Sequence, residues 1–145
     1  MSRLPDIANI RHIAMNVLPH VHSLEDMWFF TDHGIEHSER VEQYIDRFID
    51  LCKQNSNPLS EEEQIILKCS CWLHDLGCIR SRELHARESV KIIKLLVKEN
   101  LLDLCSVQKE VEYVVHAHSK NGLPLESVPK RSQGSIRLKF LYALF

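Results

Sequence analysis

The chain has 145 residues, which is enough for one domain with a hydrophobic core and too few for two domains of ordinary size. A charged fraction of 26% with only 4 glycines and 5 prolines excludes collagen-like and disordered chains, and no apolar run is long enough to span a membrane. The 18 Lys and Arg against 20 Asp and Glu leave a net charge of −2, so binding to long nucleic acids is not expected. Nine histidines are more than scattered use requires, and histidine is the commonest metal ligand.

Hydrophobic residues recur at steps of three and four along most of the chain, which is the period of an α-helix. The first predicted helix begins near Ile7 and ends near Pro19, because proline lacks the backbone N–H that a helix interior needs. The second predicted helix runs over about residues 36–53. Its inner face is predicted to carry Val41, Tyr44, Ile45, Phe48 and Cys52.

Three more helices are predicted in the remainder of the chain. Ser60 with Glu63 three residues later is a capping box that opens the third helix, and Gly77 is predicted to end it as a C-terminal cap. The fourth helix begins near Leu84, and the fifth spans residues 107–118. The chain has no convincing segment with the two-residue period of a strand. The predicted fold class is therefore all-α, a compact bundle of about five to seven helices.

The domain organisation follows from these elements. We expect residues 1–145 to form a single domain, in which residues 1–30 are an N-terminal helical extension. A last apolar helix is predicted to begin near Ile136 and to be incomplete at Phe145.

The five cysteines are predicted to be free thiols. The N-terminal residues lack the basic end and apolar run of a signal peptide, so we expect a reducing, cytoplasmic location without disulfides. Cys69, Cys71 and Cys78 could be read as half of a zinc knuckle, but they lack the paired C-x2-C spacing of such sites. Buried thiols are the better interpretation.

Four histidines lie near the ends of four different predicted helices, on the apolar side of each. Burying several imidazoles beside a carboxylate is costly unless each has a partner, and a metal ion supplies that partner. A single histidine on an apolar face is more often a hydrogen-bonded core residue, but four at once favour a metal centre. A structural role, in which the histidines hydrogen-bond one another, remains the alternative. The predicted metal ligands are His37, His74, Asp75, His85 and His118.

This ordered set resembles the signature of the HD superfamily of metal-dependent phosphohydrolases. That signature contains one histidine, then an adjacent His-Asp pair, then further histidines on later helices. The segment Trp72-Leu-His-Asp-Leu-Gly77 is similar to its central motif. The segment from Thr31 to Val41 is similar to the opening of the HD-CE type, which is known beside or fused to Hsp90-like ATPase modules.

The resemblance implies the roles of these residues. His37, His74 and Asp75 are expected to hold one metal ion, and His85 and His118 a second, with Asp75 as the central catalytic residue. Mixed nitrogen and oxygen ligands suit divalent Mn, Fe, Zn, Ni or Mg, as one or two ions. The implied activity is hydrolysis of a nucleotide or related phosphoester. The implied partners are that small molecule and either an Hsp90-like ATPase or the remainder of a longer chain.

Two cations are candidates for contact with a substrate phosphate. Arg40 lies three residues after His37, where it can reach a phosphate or, equally, pair with Glu36 or Glu39 at the surface. Lys120 follows His118 in a predicted loop, where it either contacts phosphate or simply faces solvent.

The resemblance departs from the family in one respect. HD domains normally complete the first metal site with an aspartate on a late helix, in a stretch reading Arg-Leu-x-x-x-Ala-Asp. Residues 135–145 resemble the approach to that helix but contain no aspartate. The chain is therefore expected to be either a piece of a longer protein or a short natural chain with an incomplete first site, and the unfinished last helix favours truncation or pairing with another chain. The leading functional expectation is a metal-dependent phosphohydrolase. The alternative is a catalytically degenerate HD module that binds metal or nucleotide and regulates a partner ATPase.

Overall fold

The computed structural model describes residues 3–23 and 34–118 of the chain, with only the backbone for residues 21–23. This part of the chain contains five α-helices and no strand, which confirms the predicted all-α class. The helices are α1 (Ile7–Val17), α2 (Ile35–Gln54), α3 (Glu61–Leu73), α4 (His85–Lys98) and α5 (Gln108–Ala117). Short 3₁₀ helices lie at Leu18–Ser23, Leu76–Ile79 and Cys105–Val107. None of the described helices combines the length and apolar character that crossing a membrane requires.

The central element of the bundle is α3, which packs against α1, α2 and α5. Its last eight residues from Ile66 to Leu73 are almost all buried, with Trp72 only 1% exposed. A helix that is apolar on all sides is stable only when other helices surround it, so the core forms around α3. The fourth helix packs on α5 and on the 3₁₀ helix at Leu76–Ile79. These packings bring the C-terminal end of α3 beside the N-terminal end of α4.

The start of α3 matches the capping box predicted from the sequence. Ser60 Oγ accepts a hydrogen bond from Glu63 N at 3.2 Å, and Glu63 Oε2 accepts one from Ser60 N at 2.7 Å. These bonds satisfy two of the backbone donors that a helix start leaves without partners.

Replacing Ser60 by alanine is therefore expected to lower the free energy of unfolding by about 1 kcal/mol. The measurement is urea denaturation followed by circular dichroism. Gln43→Ala, at an exposed position of α2, is the control, with an expected change within about 0.5 kcal/mol. Equal stabilities for Ser60→Ala and the wild type would contradict the role of the box.

Two details of the helices differ from the sequence prediction. The predicted inward position of Tyr44 is wrong, because this side chain is 64% exposed. The other residues predicted on this face are buried (Ile45) or partly buried against the core (Val41, Phe48 and Cys52). The buried residues of α2 also include Ser38, Glu42 and Ile49. Glu42 is tolerated there because Arg11 of α1 donates two hydrogen bonds to its carboxylate, at 2.6 and 3.1 Å.

The predicted C-terminal cap at Gly77 is also wrong. Helix α3 ends at Leu73 with His74 as its cap, and no described glycine has a positive φ. Gly77 lies inside the following 3₁₀ helix. A Cβ at this position would lie 2.0 Å from His85 O and 2.4 Å from Ser89 N, so glycine is needed for close backbone packing.

All five cysteines are free, as predicted. Cys69, Cys71 and Cys78 are fully buried, and burial raises the pKa of the Cys69 thiol to about 12. The pKa values of Cys71 and Cys78 are raised further by the same cause, so these thiols stay uncharged at neutral pH.

Candidate metal centre

Five candidate ligands come from the ends of four helices. His37 lies in the first turn of α2, and His74 caps the C-terminal end of α3. Asp75 follows directly and precedes the 3₁₀ helix, while His85 is the first residue of α4. His118 caps the C-terminal end of α5. Residues spread over 82 positions of the sequence therefore meet at one place in the bundle.

The first ligand group consists of His37, His74 and Asp75. His37 Nε2 lies 3.2 Å from His74 Nε2, and Asp75 Oδ2 lies 3.1 Å from the same atom of His74. The distance from Asp75 Oδ2 to His37 Nε2 is 3.7 Å. These ligand atoms all lie within 4.8 Å of one another, so the group could hold one metal ion.

The second ligand group consists of Asp75, His85 and His118. His85 Nε2 lies 2.8 Å from His118 Nε2, and Asp75 Oδ1 is 3.8 and 4.0 Å from these two nitrogens. The group meets the same 4.8 Å criterion. Asp75 therefore belongs to both groups and directs a different carboxylate oxygen toward each.

Three of the histidines have their ring orientation fixed by the backbone. In each, Nδ1 donates to the carbonyl oxygen three residues earlier: His74 to Cys71 at 2.7 Å, His85 to Arg82 at 2.6 Å, and His118 to Val115 at 2.5 Å. A carbonyl only accepts, so Nδ1 carries a proton in each ring, and Nε2 keeps its lone pair whenever the imidazole is neutral. Metal-binding histidines use this arrangement to hold the ring and select the tautomer.

The separations between the histidine nitrogens fit a divalent cation. Two nitrogens about 2.0–2.1 Å from one ion, at angles between 90° and 109°, are about 2.8–3.4 Å apart. The observed separations of 3.2 Å for His37–His74 and 2.8 Å for His85–His118 lie in this range. In the His85–His118 pair, where both Nδ1 atoms donate to carbonyls, neutral rings direct their Nε2 lone pairs at each other and repel unless a cation lies between them. The geometry therefore fits a metal ion in each group.

The electrostatics of the centre also favour cations. Burial by itself lowers the pKa of His74, but the charge and hydrogen bond of Asp75, together with backbone hydrogen bonds, outweigh it, and the pKa is raised. Burial lowers the pKa of His118 to about 4, and neighbouring His74 lowers it too. His118 is thus neutral at pH 7, which is the form that binds metals. The carboxylate of Asp75, only 1% exposed, supplies the negative charge of the centre.

Cysteine takes no part in either ligand group found among the described residues. Cys78 Sγ lies 3.9 Å from Asp75 Oδ1 as a neutral neighbour. The burial of Cys69, Cys71 and Cys78 agrees with their interpretation as buried thiols.

The structure thus brings together all five predicted metal ligands. Arg40 is an exposed residue of α2, and its predicted phosphate contact stays a prediction, as does the alternative ion pair. Lys120 and the predicted last helix from Ile136 lie outside the described residues. The predicted domain boundaries likewise stay predictions.

Ser89 lies beside the centre and was not among the site residues predicted from the sequence. Ser89 is fully buried in α4 and hydrogen-bonds the backbone of the His-Asp segment. The sequence feature that could have identified it is a serine on the apolar face of the fourth predicted helix, four residues after His85.

Comparison with known protein families identifies the family that the sequence motifs resemble. The profile of the HD-CE family matches residues 24–144, which include all five candidate ligands. No curated protein and no solved structure matches the chain. The chain, with its His-Asp centre at the meeting point of four helix ends, belongs to the HD-CE family.

Proposed function

We propose that the chain is a metal-dependent phosphohydrolase that acts on a nucleotide or a related phosphoester. The observation that carries this proposal is the position of Asp75, which directs one carboxylate oxygen toward each of two histidine pairs. A shared carboxylate between two nitrogen pairs is suited to a dinuclear centre, and dinuclear centres commonly serve phosphoester hydrolysis.

Each residue of the centre has a role in this proposal. His37, His74 and Asp75 would hold one divalent ion, and Asp75 would hold the second together with His85 and His118. Divalent ions in such a centre supply Lewis acidity to the phosphate oxygens and to an attacking water. The Nδ1 bonds to the backbone keep the rings oriented before any ion binds. Four nitrogen donors favour Fe, Zn or Ni over Mg, which prefers oxygen ligands.

The exposure of the ligands suggests the side from which a substrate enters. Within the described residues, the side chains of His37 and His85 are 26% and 18% exposed, whereas that of Asp75 is 2% exposed. Solvent therefore reaches the centre from the side of His37 and His85. We propose that a phosphate group enters there and that Arg40 and Lys120 contribute positive charge to its binding. The free thiols agree with a cytoplasmic location for this activity.

The test is a measurement of metal content followed by a hydrolysis assay. Purified protein is loaded with Mn²⁺ or Zn²⁺ and dialysed. It is expected to retain one to two ions per chain, because the described residues form two ligand groups. A panel of nucleotides and phosphodiesters is then expected to include at least one substrate. Chelation should abolish its hydrolysis, and returning the ion should restore it. A protein that retains no metal after loading would overturn the proposal.

A second candidate is a degenerate HD module that binds metal or nucleotide and regulates an Hsp90-like ATPase. It is favoured by the donor count, since the described residues supply three ligands to each ion. The same assay separates the two candidates. Stoichiometric metal without turnover of any substrate in the panel would favour the regulatory module.

A further inference from the structure

One hydroxyl group of α4, that of Ser89, hydrogen-bonds two backbone groups of the His-Asp segment. Ser89 lies one turn after His85 in α4 and is 0% exposed. Its Oγ donates a hydrogen bond to His74 O at 2.6 Å and accepts one from Gly77 N at 2.7 Å. The hydroxyl thus uses both its donor and an acceptor position on two backbone groups of the same segment.

These two backbone groups flank Asp75. The carbonyl of His74 belongs to the peptide bond that joins His74 to Asp75, and the amide of Gly77 follows two residues later. Because α3 ends at Leu73, this carbonyl lies beyond the last helical residue, and Ser89 supplies a partner for it. The hydroxyl therefore holds the short segment that carries two of the metal ligands.

The contact between the His-Asp segment and α4 also places the two ligand groups relative to each other. The missing side chain of Gly77 allows its backbone to approach the first turns of α4, where a Cβ would meet His85 O at 2.0 Å. Ser89 and His85 are one turn apart on this rigid helix. A bond from Ser89 to the His74 carbonyl therefore sets the distance between the first ligand group and His85 of the second.

We propose that Ser89 is a positioning residue of the metal centre, which holds His74 and Asp75 in register with His85. The inference rests on the proposed metal-dependent function. Burial of a serine does not by itself imply such a role, because Ser70 of α3 is also 0% exposed and its Oγ has no hydrogen-bond partner among residues 3–23 and 34–118. Ser70→Ala is therefore a matched control for Ser89→Ala.

The experiment uses the full chain, made metal-free by chelation and then titrated with Co²⁺. Ser89→Ala is expected to bind Co²⁺ about 10-fold or more weakly, as is typical when a group that supports metal ligands is removed. Its visible absorption bands, which report ligand geometry, are expected to shift. Ser70→Ala should match the wild type in both measurements. Ser60→Ala, which removes a distant helix cap, controls for a general loss of stability and should also keep wild-type affinity.

A second measurement on the metal-free protein tests the bond itself. Amide hydrogen exchange of Gly77, followed by NMR, is expected to be faster in Ser89→Ala than in Ser70→Ala, because the amide loses its acceptor. A wild-type chain that binds no Co²⁺ would overturn the proposed function, and Gly77 exchange would still decide whether Ser89 holds the segment. Wild-type affinity and spectrum in Ser89→Ala would overturn the positioning role. So would an equal loss of affinity in Ser60→Ala.

Discussion

Replacing Asp75 by asparagine is expected to weaken metal binding at both ligand groups by more than about 100-fold, because losing a direct ligand costs more than the roughly 10- to 100-fold typical of losing a group that supports one. Asparagine has nearly the same size and shape, so the change removes the negative charge and leaves the packing of this buried side chain intact. The carboxylate faces both histidine pairs, at 3.1 Å from His74 Nε2 and 3.8 Å from His85 Nε2. A single substitution should therefore remove both ions rather than one.

The measurement is elemental analysis of the loaded and dialysed protein, together with calorimetric titration of the metal-free protein. Hydrolysis of any substrate found for the wild type is expected to fall to background. Asp50→Asn, on the exposed surface of α2, is the control and should retain both metal and activity. Circular dichroism of Asp75→Asn is expected to match that of the wild type. Metal retained by Asp75→Asn at the wild-type level would show that the ions bind elsewhere.

Replacing Gly77 by alanine is expected to lower the free energy of unfolding by about 3 kcal/mol or more, beyond the usual cost of an overpacked methyl group. The new Cβ would lie 2.0 Å from His85 O and 2.4 Å from Ser89 N. Both are backbone atoms of α4, so no side chain can rotate away to relieve the contact. The helix and the His-Asp segment must move apart, and metal affinity should fall together with stability.

Thermal unfolding of the metal-free protein measures this effect, and a loss of 3 kcal/mol corresponds to a decrease in Tm of roughly 10 °C for a chain of this size. Gly34→Ala is the control. Gly34 is the N-cap of α2 with a φ of −102°, which any residue can adopt, so a change below about 1 kcal/mol is expected there. Equal Tm values for Gly77→Ala and the wild type would contradict the close packing of these backbones.

The helices and the set of candidate ligands could be predicted from the sequence because their signals are local. Helix α3 begins where the capping box of Ser60 and Glu63 predicts, since both partners are within one helical turn. The candidate ligands could be predicted because burying imidazoles beside a carboxylate on an apolar face costs free energy unless a partner such as a metal ion is present. Tyr44 was misassigned because it lies outside the buried face of α2, which includes the polar residue Glu42. The burial of Glu42 depends on hydrogen bonds from Arg11, a residue of another helix that the local pattern does not reveal.

Local pattern therefore determined the all-α class, the approximate helix bounds and the identity of the five histidine and aspartate residues that meet at the candidate metal centre. It carried no information on which oxygen of Asp75 faces which pair, on the bonds between Nδ1 and the backbone, or on the hydroxyl of Ser89 that joins α4 to the His74 carbonyl. It also assigned Gly77 to a helix cap, whereas the glycine is needed for backbone packing against α4. These features arise only when helices distant in sequence pack together. Helical periodicity indicates which face of each helix is buried, but hydrogen bonds and ligand distances depend on the exact positions of the helices relative to one another.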